Sequence, residues 1–113
     1  MAKVSIAESL KDEILKKFKE ESKIIFRQLY SLGESPHKGK PLGQVGGIVI
    51  KELRYKNFRF YFITDGHKLK IMDASKLSDL LIRFVRMSNK KDQQKTIDEI
   101  KRILKTFGEI GFS

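Results

Sequence analysis

The stretch Leu53–Phe62, LRYKNFRFYF, alternates apolar and polar side chains on both sides of a turn, and it decides the fold class. We place the turn at Lys56-Asn57, because Asn57 accepts a positive φ more readily than most residues. Two antiparallel strands then flank the turn, and Arg54 lies directly opposite Arg59. The stretch therefore predicts a β-hairpin with two arginines on one face.

A second hairpin is predicted directly downstream, because Asp65-Gly66 is a strong signal for a two-residue turn. It would lead into a strand HKLKIMD and place Lys70 opposite Tyr61. The two hairpins agree on an apolar face, made of Leu53, Tyr55, Phe58, Phe60, Phe62, Leu69 and Ile71. They also agree on a polar face, made of Glu52, Arg54, Arg59, Tyr61, Lys68, Lys70 and Met72.

Segments on either side of these hairpins complete the predicted fold. KVSI is a short first strand, and a helical repeat from about Ala7 to Leu32, interrupted by KEESK, is either one bent helix or a helix pair. Residues 33–41 are rich in Gly and Pro and predict a loop, and ASKLSD predicts a connector. LLIRFVRM is a further strand, and DQQKTIDEIKRILKTF is a helix with Ile97, Ile100, Leu104 and Phe107 on one side.

We therefore expect a single α+β domain over residues 1–113. Its N-terminal helix pair, or bent helix, packs on a small twisted antiparallel β-sheet, a C-terminal helix follows, and the helices cover one face of the sheet.

Composition favours a small globular protein, since 34% of the 113 residues are charged and 40% are hydrophobic. There is no cysteine, no apolar run of membrane-spanning length and no apolar core of a signal peptide near the start, so we expect a cytoplasmic protein without membrane attachment. The net charge is +10, and residues 37–91 hold 13 Lys or Arg against 4 Asp or Glu. This clustering favours a polyanionic partner such as nucleic acid, although a charged, solvated surface is the simpler alternative.

Arg54 opposite Arg59 is unfavourable by itself, because like charges facing each other on a sheet cost up to ~1 kcal/mol. Two guanidinium groups at this spacing are well suited to binding a phosphate, since each offers paired donors to phosphate oxygens. An ordinary solvated face rich in Lys and Arg remains the alternative.

Several segments resemble the RelE/ParE toxin superfamily, and most closely its HigB-like branch. These are LGESPHKGKPL, GGIVIKELRYKNFRFYF and MSNKKDQQKTIDEIKRIL, which together span about Ile25 to Leu104. The resemblance implies a RelE-like fold, ribosome-dependent cleavage of messenger RNA and a cognate antitoxin protein. Glu52, Leu53 and Arg54 match a Glu-Leu-Arg strand. Phe58, Arg59 and Tyr61 match the following Arg strand, and Lys90 and Lys91 match a closing Lys-Lys pair.

Metal-independent cleavage of RNA needs a base, an acid and cations that stabilise the phosphate. We assign Arg54 and Arg59 as the phosphate clamps and Tyr61 or a lysine as the acid, and the candidate base is Lys70, Lys90 or Lys91. Further nucleic-acid contacts are assigned to Lys38, Lys40, Lys51, Lys68 and Arg86. Arg83 and Arg86 differ in strand parity, so only one of them is expected on this face. Two histidines and no cysteine predict no metal cluster, and we expect no cofactor.

Two alternatives stay open within the same fold. One is a catalytically inactive module that binds nucleic acid or protein, and the other is a ParE-like inhibitor of DNA gyrase. Both remain because the segment between Tyr61 and Lys90 is about a dozen residues longer than the family pattern. In addition, FGEIGFS ends the chain without the C-terminal tyrosine of some RelE-type members.

Overall fold

A computed structural model of the chain describes residues 2–71 and 79–112. The strands in chain order are β1 (Lys3–Ile6), β2 (Lys40–Val45), β3 (Ile48–Tyr55), β4 (Phe58–Asp65) and β5 (Leu81–Asn89). The helices are α1 (Glu8–Phe18), α2 (Ser22–Tyr30), α3 (Gly66–Ile71) and α4 (Gln93–Phe107). The predicted connector ASKLSD lies outside the described residues except for Asp79.

The five strands form one sheet in the order β1-β5-β4-β3-β2. The pairs β2–β3, β3–β4 and β4–β5 are antiparallel, whereas β1 runs parallel to β5. The prediction of an α+β fold is confirmed, but the prediction of a purely antiparallel sheet is wrong. A parallel pair needs a long crossover, and here most of the chain lies between the two strands.

Helices cover both faces of the sheet, so the prediction that they cover one face is wrong. On one face, α1 and α2 pack on a core that includes Phe60, Phe62 and Phe84. On the other face, α4 packs its isoleucines on a second core that includes Ile50 and Tyr61. The face that was predicted to be polar and open is therefore largely covered.

The N-terminal helical segment is a helix pair, not one bent helix. A single 3₁₀ turn, Lys19–Glu21, separates α1 from α2, and Lys19 has a φ of 50°. The hydroxyl of Ser22 donates a hydrogen bond to the carbonyl oxygen of Ile14 at 3.1 Å, which ties the start of α2 back to α1. The polar KEESK segment thus marks a real break between two helices.

Glu21 joins this break to the turn between β3 and β4. The Tyr55 hydroxyl and the Lys56 ammonium, the latter at 2.7 Å, both donate to Oε2 of Glu21. The hydrogen bond from Lys56, and then that from Tyr55, holds the pKa of the Glu21 carboxyl below its usual value. The positive φ of this turn belongs to Lys56, at 52°, and not to Asn57 as predicted.

The register of the first predicted hairpin is confirmed, with Arg54 opposite Arg59 across β3 and β4. The second predicted hairpin is wrong, because α3 follows Asp65, and the strand that pairs with β4 on the side away from β3 is β5. Oδ1 of Asp65 accepts hydrogen bonds from the backbone N–H groups of His67 and Lys68, both at 3.0 Å. This is how an aspartate caps the start of a helix, so the Asp-Gly pair begins a helix here.

Two further segments differ from the prediction. The predicted loop over residues 33–41 gives way to β2 from Lys40 onward, which pairs with β3 around Gly46-Gly47. In β5 the register shifts between its pairings of Tyr61 with Arg86 and Phe62 with Phe84, which leaves Val85 as an extra residue. This bulge places Arg83 and Arg86 on the same face, so the parity argument that admitted only one of them is wrong.

Candidate functional site: a buried arginine–glutamate cluster under the C-terminal helix

The candidate site lies where β3, β4 and β5 meet the first turn of α4. Glu52 and Arg54 come from β3, Arg59 from β4, and Ser88 lies opposite Arg59 on β5. Gln93 is the first residue of α4. Alternation along the strands directs these side chains to the α4 face of the sheet, and we call these residues the Arg59 cluster.

Most of the Arg59 cluster is enclosed. Glu52 is 2% exposed and Arg59 is 5% exposed, whereas the Arg54 side chain is 59% exposed. Charged residues are almost never buried to this degree unless they are paired. The cluster therefore has an accessible edge at Arg54 and a closed interior at Arg59.

Glu52 is the centre of the charge arrangement. Its Oε1 lies 3.7 Å from Nε of Arg54, and its Oε2 lies 3.8 Å from Nε of Arg59. Nε2 of Gln93 donates a hydrogen bond to the same Oε2 at 3.2 Å. Within the described residues, Oε1 of Glu52 and Nε of Arg59 are buried without a hydrogen-bond partner. The ions are thus close enough to attract each other, but they leave donors and acceptors unused.

Tyr61 lies next to the Arg59 cluster and is fully buried. Its hydroxyl shares a hydrogen bond with Ser88 Oγ at 2.7 Å, and Ser88 Oγ itself donates to the carbonyl oxygen of Asn89. Because serine has one proton to give, Tyr61 is the donor of the shared bond. Burial is the main cause that raises the pKa of the Tyr61 hydroxyl. The hydroxyl therefore stays protonated at neutral pH, as the proposed acid must.

Lys90 and Lys91 lie at the same end of the sheet as the Arg59 cluster. Phe58 pairs with Asn89, so the two lysines follow directly beyond the end of the β3–β4 hairpin, and both are exposed. The Lys-Lys pair is thus the candidate base that the fold places nearest to Arg59.

Lys70 and Lys68 lie elsewhere, because the hairpin that placed them beside Tyr61 does not exist. Both belong to α3, which begins after the far end of β4. Asp65 lies six positions after Arg59, and at ~3.3 Å per strand residue the start of α3 lies about 20 Å from Arg59 along the strand. The structure does not bring Lys70 to the Arg59 cluster.

The residues assigned to nucleic-acid contacts separate into two groups. Lys38 and Lys40 lie near the protein surface, and Lys40 pairs with Glu52 across β2 and β3. Lys51 is 4% exposed, because its pairing with Phe62 turns it toward the other face, where its ammonium donates to the carbonyl oxygen of His37 at 3.0 Å. Burial lowers the pKa of Lys51, and the prediction that it forms part of the basic surface is wrong.

The Arg86 side chain is bound by α4 and does not extend freely from the surface. Its Nε donates to Oε1 of Glu99 at 2.8 Å, and its guanidinium lies 5.2 Å from the Phe112 ring. Arg83 donates to Ser5 Oγ and to the Phe112 carbonyl oxygen, which secures the C-terminal segment. Both arginines thus tie the second core together.

A cleft of about 290 Å³ adjoins the Arg59 cluster at Ser88. Its other lining residues come from α1, the start of β4, the end of β5 and α4, and they include Glu13, Lys17 and Lys95. Burial is the main cause that raises the pKa of Glu13, with Lys17 and Arg86 acting against it. The cleft brings both signs of charge to the end of β5.

Ser88 and Gln93 are the residues of this site that the sequence analysis did not single out. The sequence did contain a sign that this face is covered, because Ile50 and Ile63 lie on the same face of their strands as Glu52 and Tyr61. An apolar patch on that face needs a partner, and the isoleucines of the C-terminal helix supply it.

Comparison of the chain with protein-family models, with curated proteins and with solved structures finds no match. Within residues 2–71 and 79–112, no three His, Cys, Asp or Glu side chains form a group that could hold a metal ion. No helix in those ranges has the length and apolar character to cross a bilayer.

Proposed function

We propose that this chain is the toxin of a toxin–antitoxin pair and cleaves messenger RNA on the ribosome, with the Arg59 cluster as its phosphate site. The observation that carries the proposal is the cross-strand pair of Arg54 and Arg59. Two guanidinium groups on adjacent strands repel each other unless an anion lies between them, as Glu52 does here, and the same arrangement suits a phosphate.

Other features support the same proposal. The exposed Lys90 and Lys91 lie at the end of the sheet where Arg54 is accessible, so a polyanion that reaches Arg54 also meets further cations. Tyr61 lies on the same face of the sheet as Arg59 and carries a proton at neutral pH, which is the state that an acid for the leaving 5′ oxygen requires. The cognate antitoxin is the protein partner that the sequence resemblance implies.

The enclosed state of Arg59 determines how the site would work. Arg59 is 5% exposed and Gln93 donates a hydrogen bond to Glu52, so this contact must open before a phosphate reaches Arg59. We therefore propose that the described conformation is a closed one and that ribosome-bound messenger RNA is cleaved from an open one.

A second candidate is an RNA-binding module without catalytic activity, and the burial of Arg59 and Tyr61 favours it. In that case the exposed cations Arg54, Lys90 and Lys91 bind the RNA backbone, and the buried cluster only stabilises the fold. Its binding would weaken steeply with salt, because it rests on phosphate contacts alone.

Expression of the chain in cells, followed by mapping of messenger RNA 5′ ends, separates the two candidates. The toxin predicts growth arrest and new 5′ ends. Arg59→Lys, which keeps the charge and loses the planar two-point geometry, should abolish both while the protein stays folded. Arg102→Met, at an exposed position on α4, is the matched control and should leave both intact. A soluble wild-type protein that gives neither arrest nor new 5′ ends would refute the catalytic proposal.

A further inference from the structure

The carboxylate of Glu52 occupies the point where the positive groups of the Arg59 cluster converge. Arg54 approaches Oε1, and Arg59 and the Gln93 amide approach Oε2. The Glu52 side chain is 1% exposed, so this anion is held inside the protein.

These contacts do not make full use of the buried charges. At 3.7 and 3.8 Å, the two arginine–glutamate separations exceed the length of a hydrogen bond. Oε1 of Glu52 and Nε of Arg59 remain buried without hydrogen bonds within the described part of the chain. Because burying an ion without hydrogen bonds is costly, an ion pair that served stability alone would be expected to close these gaps.

We propose that Glu52 is an internal substitute for an RNA phosphate. When RNA binds, one of its phosphates takes the place of Glu52 between Arg54 and Arg59. The inference rests on the proposed RNA-directed function and adds a regulatory role to it. A phosphodiester carries one negative charge shared by two free oxygens, and these oxygens can accept the paired N–H donors of a guanidinium group. Glu52 supplies the same charge in the closed form and thereby competes with RNA.

The surroundings of Glu52 provide an approach for the phosphate. Arg54 is largely exposed, and Lys40, the strand partner of Glu52 on β2, is exposed as well. An incoming phosphate meets these two cations first. Displacement of Glu52 then breaks its hydrogen bond with Gln93, which couples RNA binding to release of the first turn of α4.

The test compares the affinity of Glu52→Gln and of the wild type for a short fluorescein-labelled single-stranded RNA, measured by fluorescence anisotropy over a range of salt concentrations. Removal of the competing charge should raise the affinity at low salt by at least about tenfold. The slope of log affinity against log salt concentration should steepen by about 0.7 for each additional phosphate that the protein binds. Arg54→Met in the Glu52→Gln background should remove most of the increase in affinity.

Glu99→Gln is the matched control. It removes one negative charge from α4, which covers the same face of the sheet, and within the described residues the ion-pair partner of Glu99 is Arg86, outside the Arg59 cluster. The control should therefore bind RNA only slightly more tightly than the wild type. Gln93→Ala keeps the net charge and removes one hydrogen bond that holds Glu52, so it should raise the affinity in the same direction as Glu52→Gln.

The inference is overturned if Gln93→Ala binds no more tightly than the wild type and a folded Glu52→Gln protein binds no more tightly than Glu99→Gln. Should Glu52→Gln fail to fold, as judged by circular dichroism, Gln93→Ala decides alone. Failure of the catalytic proposal is a separate result, because messenger RNA cleavage in cells is measured independently of these affinities.

Discussion

Replacement of Arg59 by methionine should destabilise the protein strongly, although Nε of Arg59 makes no hydrogen bond within the described residues. Nε of Arg59 lies 3.8 Å from Oε2 of Glu52, and both side chains are buried. At an effective dielectric constant of about 20, opposite charges at that distance attract each other by about 4 kcal/mol. Methionine fills a similar volume, but among the described residues it leaves the Glu52 carboxylate with the Gln93 hydrogen bond and the more exposed Arg54.

We expect Arg59→Met to lower the free energy of unfolding by about 3–5 kcal/mol, as is typical when one partner of a buried ion pair is removed. The double variant Arg59→Met, Glu52→Gln removes both charges and should recover most of this loss. Urea denaturation followed by far-UV circular dichroism gives the four free energies of the double-mutant cycle. Arg102→Met, at an exposed position, should change stability by less than about 0.5 kcal/mol.

Two results would refute this reasoning. One is a loss below about 1 kcal/mol for Arg59→Met, which would mean that water reaches Glu52 and that the cluster is not enclosed. The other is simple additivity of the Arg59 and Glu52 substitutions, which would mean that the two side chains do not interact.

Three further predictions concern the surroundings of the site. Ser88→Ala should cost about 1–3 kcal/mol, because the buried Tyr61 hydroxyl loses its partner, and urea titration of this variant beside Tyr61→Phe measures the effect. Gly66→Ala should lower the melting temperature in calorimetry by overpacking worth about 1–3 kcal/mol, since an added Cβ would lie 2.5 Å from a Val49 methyl group; an unchanged melting temperature would contradict the packing. The pKa of Glu21 is depressed by its two hydrogen-bond donors, so its contribution to stability is present above the unfolded-state pKa and is lost as pH falls through the folded-state value. Glu21→Gln should therefore be less stable than the wild type at neutral pH and approach it in acid, and a gap that stays constant with pH in urea titrations would contradict this.

Local patterns in the sequence predict much of this fold. The alternation on both sides of Lys56-Asn57 is strict enough to set the register of the hairpin, because a slip by one residue would turn its phenylalanines out of the core. The C-terminal helix follows from the spacing of Ile97, Ile100 and Leu104, which are all buried, although Phe107 of the same predicted row is 60% exposed. These elements are decided by short-range periodicity, which a sequence displays directly.

Elements that depend on distant contacts were predicted wrongly. Asp65-Gly66 is compatible with a hairpin turn or a helix start, and the choice depends on what surrounds it. Gly66 packs closely on Val49 of β3 and does not adopt a positive φ. Glycine is therefore suited to this position because it has no side chain to collide with Val49. In the same way, the extra residue Val85 in β5 reverses the strand parity, and no local pattern announces a bulge.

The same limit applies to the candidate site. The sequence brings Arg54, Arg59 and Tyr61 to one face, and the structure confirms that placement. The cover provided by α4 depends on packing between residues some forty positions apart, such as Glu52 and Gln93. Sequence reasoning therefore locates the charges, with Glu52 on the same face as both arginines, but it cannot tell that they are enclosed.

Binding of an RNA phosphate at Arg59, with displacement of Glu52, is the event on which the proposed mechanism depends. The most direct test follows the Nε–H signal of Arg59 in ¹H–¹⁵N NMR spectra while a short single-stranded RNA is added. The Arg59→Lys protein, which lacks this group, identifies the signal in the wild-type spectrum. We predict that the Arg59 signal shifts or broadens as RNA saturates the protein, together with the side-chain amide signals of Gln93. An Arg59 signal that stays unchanged while signals from Lys90 and Lys91 move would show that RNA binds only to the surface and would contradict displacement of Glu52.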